Sequence, residues 1–192
     1  LVVAIGMTIT GGGAPPTAPT APTASPLDAY EAKIATARQA AEQNPSDAQS
    51  WIDYGNLLYN SAEIVRENAP DSQSYQQRLP RWLDATAAYT RALALEPDNA
   101  GVRADLGVSA CFYGAGAGDQ SFVRSGTAEA RRAAQEAPGD PRVLLNLGHC
   151  LVSAQPPQSE EAIELWRQAI ASAPTGSPLA VQAQQLIAAY GR

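Results

Sequence analysis

Few residues in this chain could do chemistry. Cys111 and Cys150 are the only cysteines and His149 the only histidine. A metal site built from these three is not expected. Adjacent helical positions send His149 and Cys150 in divergent directions, and no fourth ligand is evident. The chain has no CxxC or CxxCH spacing, so it offers neither a dithiol redox pair nor a haem attachment site. Glu160, Glu161 and Glu164 lie in the first turns of a helix, where they favour the helix dipole without any catalytic role. The glycine-rich stretch GAGAGDQSF, residues 114–122, is not a phosphate cradle, because no strand precedes it and no GK[ST] follows. It is expected to be a surface loop. No nucleophile elbow, paired catalytic carboxylates or triad spacing occurs. The expectation is no catalytic residue, no cofactor and no small-molecule substrate.

The bulk properties remove further classes of function. The chain has 192 residues, 45% of them hydrophobic, and a formal net charge of −6. That is long enough for one domain with its own core. Lys33 is the sole lysine, and the arginines are scattered as on solvated helix faces. With no basic stripe, neither nucleic acid nor an anionic lipid surface is an expected partner.

Three compositional zones follow one another. Residues 1–10, LVVAIGMTIT, are apolar and uncharged; residues 11–26 contain only Gly, Pro, Ala, Thr and Ser; residues 27–192 are helix-type sequence. The middle zone should be an extended, semi-rigid linker of polyproline-II character. Ten apolar residues cannot cross a bilayer, which needs about 20. Residues 1–10 therefore have three readings: the outer half of a membrane helix, the remnant of a secretory signal, or a strand donated to a partner's sheet edge.

Four prolines set the rhythm of the third zone. Pro45, Pro97, Pro138 and Pro174 each close a helical stretch, at spacings of 52, 41 and 36 residues. These fit a unit of about 34 residues with inserts of about 18, 7 and 2. Apolar stripes such as Trp51, Tyr54, Leu58, Ala62 and Val65 recur at helical spacing. Start signals precede them: Ser25–Pro26, Ser46, Asp140–Pro141, Ser159 and Ser177–Pro178. The expectation is an all-α domain of about eight helices, preceded by an extended N-terminal arm.

This pattern resembles the tetratricopeptide repeat (TPR) over residues 27–192. In the first helix of each unit, a large residue is followed three and four places later by an apolar residue and a glycine. Here these are Trp51/Tyr54/Gly55, Arg103/Leu106/Gly107 and Leu144/Leu147/Gly148, with Arg103 departing from the pattern. The second helices carry Ala85/Tyr89/Ala92/Pro97, Gly126/Ala130/Ala133/Pro138 and Ala162/Trp166/Ala169/Pro174, where Ala130 lacks the usual aromatic. The resemblance implies a helical solenoid of three units, with a half unit before (27–45) and a closing helix after (178–190).

It also implies a ligand groove lined by the first helix of each unit. Carried over residue by residue, the lining is Ile52, Asn56, Tyr59 and Asn60, then Ala104, Val108, Cys111 and Phe112, then Leu145, His149 and Val152. That lining reads as mostly apolar, suited to an apolar segment of a protein partner, with Tyr59 and Phe112 as anchors. The alternative is a groove filled by the chain's own inserts. On this register Cys111 and Cys150 lie on neighbouring first helices at similar height. They are either bonded, which needs an oxidising compartment, or two small buried hydrophobes; the second reading is preferred.

Taken together, the sequence suggests a protein-interaction scaffold outside the cytoplasm, in the periplasm or at the cell surface. It would be an accessory or coat subunit attached by its N-terminal arm to a membrane complex, a filament or neighbouring copies. The other plan is a membrane-tethered assembly factor for apolar client segments, similar to TPR proteins of cytochrome c biogenesis.

Overall fold

The computed structural model describes residues 26–191, so the linker and arm expectations lie outside the described residues. These residues form nine helices: α1 (Pro26–Gln43), α2 (Ala48–Asn68), α3 (Gln73–Arg78), α4 (Pro80–Leu95), α5 (Ala100–Ala117), α6 (Gln120–Glu136), α7 (Pro141–Ser153), α8 (Ser159–Ser172) and α9 (Pro178–Tyr190). No strand occurs among them. None of these helices is long and apolar enough to cross a membrane.

Helix starts are set by polar caps. Asp47 accepts from the backbone N–H of Gln49 and Ser50, Asn99 from Val102, Asp140 from Arg142 and Val143, and Ser177 from Ala180. Each satisfies amides that the first turn leaves unpaired. Two expected caps move. α2 is capped by Asp47 rather than Ser46, and α8 begins at Ser159 itself with no side-chain cap.

Consecutive helices pair as α2 with α4, α5 with α6 and α7 with α8. Each pair stacks on the next through α4–α5, α5–α7 and α6–α7, with α1 and α9 closing the two ends. This is the expected solenoid, with α2, α5, α7 and α9 as an inner layer. The pairs close on their glycines. A Cβ on Gly55 would lie 2.6 Å from the Tyr89 ring, and one on Gly148 would run into the Trp166 indole.

In the middle pair a Cβ on Gly107 would meet the carbonyl oxygen of Gly126 at 2.7 Å and the Ala130 nitrogen at 2.9 Å. Here backbone meets backbone, so an aromatic at position 130 would have no room. That accounts for the departure at Ala130. Arg103 has its own role: it is buried and pairs with Glu129 at 3.1 Å and Glu136 at 2.8 Å, tying α5 to α6.

The expected solenoid of about eight helices stands, and the long insert adds the short helix α3, capped by Ser72 and packed by the buried Tyr75. One expectation is corrected. The GAGAGDQSF stretch is not a loop. Residues up to Ala117 continue α5, Gly118 turns the chain with φ 72°, and Asp119 caps α6. Its glycines serve close approach. A Cβ on Gly114 would meet Asp119, Phe122 and Val123, and one on Gly116 would run into Leu79 of the insert.

Candidate functional site

The inner layer presents a cleft of about 350 Å3. One wall is a stripe along α2: Asn56, Asn60, Glu63 and Glu67. The floor and far wall come from Asp105 of α5, from Arg142, Leu145, Asn146 and His149 of α7, and from Leu179 and Gln182 of α9. A second cleft of about 400 Å3 continues from it past His149 toward Phe112, Val152 and Tyr190. A roomier, shallow groove of about 580 Å3 between α1 and α2 is lined by Ala32, Ala37 and Leu57 together with Lys33, Thr36, Asp53 and Asn56.

Of the expected lining, Asn56, Tyr59, Asn60, Leu145 and His149 come together in the first cleft, while Val152 lines the second. Ile52 packs instead beside Leu58 and Tyr89. Ala104 and Val108 are fully buried, and Phe112 is 5% exposed and part of the main core, reaching only the second cleft. Phe112 therefore is not the anchor expected of it. α5 is the central inner helix, and neighbours on both sides cover these positions.

Phe112 belongs instead to a file of rings through the domain. Tyr59 meets Trp82 at 4.9 Å, Trp82 meets Phe112 at 5.0 Å, and Phe112 meets His149 at 5.2 Å; Trp166 and Tyr190 continue the file at 5.5 Å. Cys111 and Cys150 are bonded, Sγ to Sγ at 2.08 Å, so the preferred reading of two unpaired hydrophobes is corrected. The bond joins α5 to α7 and leaves neither thiolate free as a ligand.

The cleft is also more polar than its first-helix residues suggested. The Tyr89 hydroxyl donates to Asn56 Oδ1 at 2.9 Å. Asp105 accepts from Asn146 Nδ2 at 2.9 Å and from the Arg142 guanidinium through two nitrogens. Burial pushes the Asp105 carboxyl up to about 6, against the pull of Arg142 and Asn146. Burial lowers the His149 imidazole to about 3, and the nearby Arg66 charge adds to it. His149 is therefore neutral at ordinary pH. Burial raises the Tyr59 hydroxyl and, together with the Glu63 charge, the Glu67 carboxyl.

Glu63, Glu67, Asp105, Arg142, Asn146, Leu179 and Gln182 were absent from the expected lining. One signal was available: Asn56, Asn60, Glu63 and Glu67 are spaced as one helical face.

These features define an all-α solenoid with a polar cleft on its inner layer. No family model matches the chain. No curated protein matches it either. Among solved structures it is similar to one described as "Crystal structure of YrrB: a TPR protein with an unusual peptide-binding site". The identity is 16%, the match covers 84% of this chain and 86% of that one, and the TM-score is 0.41.

Proposed function

We propose that this domain is a protein-interaction scaffold that holds an extended polypeptide segment along its inner cleft. The observation that carries the reading is the α2 stripe opposite α7 and α9. From Asn56 to Glu67 it runs about 16 Å at helical rise, room for about five extended residues. Asn60 and Gln182 make no hydrogen bond among the described residues, so both amides are free to pair with a ligand's backbone.

The setting we propose is outside the cytoplasm, because the buried Cys111–Cys150 bond suits an oxidising compartment. There the protein would serve as an accessory or coat subunit of a membrane-associated or filamentous assembly, moored by residues 1–26. The polar lining does not favour the alternative of an assembly factor for apolar clients.

The test is selection from a random peptide display library on the immobilised protein. Enriched peptides should share a motif of about five residues, and Asn60→Ala together with Tyr59→Ala should abolish their binding. Enrichment that survives both substitutions would remove the cleft from the reading.

A further inference from the structure

The charges around the cleft are unbalanced. Three carboxylates, Glu63, Glu67 and Asp105, face it against one guanidinium, Arg142. Asp105 and Arg142 satisfy each other. Glu63 accepts from Arg66 at 2.7 Å at the border of the second cleft. Glu67 has no cation within ion-pair distance among the described residues. It stands one turn from Glu63 on the same face, a like-charge arrangement that a bound cation would relieve.

A second, independent feature marks the same place. His149 is only 5% exposed, and its ring nitrogens make no hydrogen bond among the described residues. What surface it retains lines the two clefts. Its ring nitrogens are not sealed from the cleft, so a ligand's donor can reach an acceptor that no described protein group occupies.

We propose that the cleft selects a cationic segment, with an arginine or lysine side chain entering between the Glu63–Glu67 face and His149. The inference rests on the reading above that the cleft holds a polypeptide. The apolar stem of such a side chain would lie against Leu145 and Leu179, which line the same space. Its donors would meet the unpaired Glu67 carboxylate and the lone pairs that remain on Glu63, both of whose oxygens already accept from Arg66. A neutral imidazole supplies one further acceptor nitrogen. An anionic segment would find only guanidinium groups already committed to carboxylates, Arg142 to Asp105 and Arg66 to Glu63.

The experiment uses the full chain, labelled with 15N, and three capped peptides: Ala-Leu-Arg-Leu-Ala and its glutamate and norleucine counterparts. The arginine peptide should shift the Asn60 and Asn146 side-chain amides and the His149 ring signals. It should bind about tenfold tighter than the other two, a difference of about 1.4 kcal/mol. Glu67→Gln, at an exposed position, should erase most of that preference while the circular-dichroism spectrum stays unchanged. Equal binding of all three peptides would overturn the inference and leave the scaffold reading standing. Preference retained in Glu67→Gln, or no shift with any peptide, would overturn it too; the display selection then judges the scaffold reading separately.

Discussion

His149 and Asp105 are buried on adjacent inner helices, and burial moves their proton affinities in opposite directions. The imidazole falls from 6.5 to about 3 on folding. The carboxyl rises from 3.8 to about 6. As pH falls below 6.5, the unfolded chain takes up a proton at residue 149 that the native chain refuses, so stability drops. Between pH 6 and 3.8 the native chain takes up a proton at Asp105 that the unfolded chain does not, so stability rises. Each slope is about 1.4 kcal/mol per pH unit at most. They oppose each other, and the pair should leave stability nearly level from pH 6 to pH 4. His149→Gln should expose the Asp105 slope, with the urea midpoint increasing on acidification. Asp105→Asn should expose the reverse. Parallel urea midpoints for wild type and both variants at pH 4, 5 and 6 would refute the assignment. The repeat resemblance placed Asn56, Tyr59, Asn60, Leu145 and His149 at the cleft but did not foresee Asp105. Its carboxylate faces inward only because Arg142 and Asn146 of the next unit meet it there.

At the level of helices, prolines and caps marked most boundaries, and glycines misled in one place. Gly114, Gly116 and Gly118 look like a break when read locally. Tertiary contact decides otherwise for two of them, since α3 and α6 pack where any side chain would intrude. The same logic gives a graded test. Gly107→Ala pushes a methyl group into the backbone of Gly126 and Ala130 and should destabilise by about 1–3 kcal/mol. Gly101→Ala has only Asn99 Oδ1 within reach, at 3.6 Å, and should be neutral or up to about 1 kcal/mol stabilising. Thermal melts of the two variants compare them directly; equal losses would mean that the α5–α6 contact is looser than described.

For the molecule as a whole, the repeat rhythm was legible from four prolines, whereas the bond between units was not. Cys111 and Cys150 lie 39 residues apart, and spacing alone could not decide between bonding and burial. Closing a loop of that size restricts the unfolded chain by about 4 kcal/mol. The reduced protein should lose roughly that much in a guanidinium titration, and a midpoint unchanged by reductant would show the bond to be energetically idle. The file of rings from Tyr59 to Tyr190 has a different consequence. Trp82 and Trp166 are both fully buried along it, with His149 between them and open to the cleft. The domain thus carries its own optical gauge: indole emission will register an arriving guest without any attached dye.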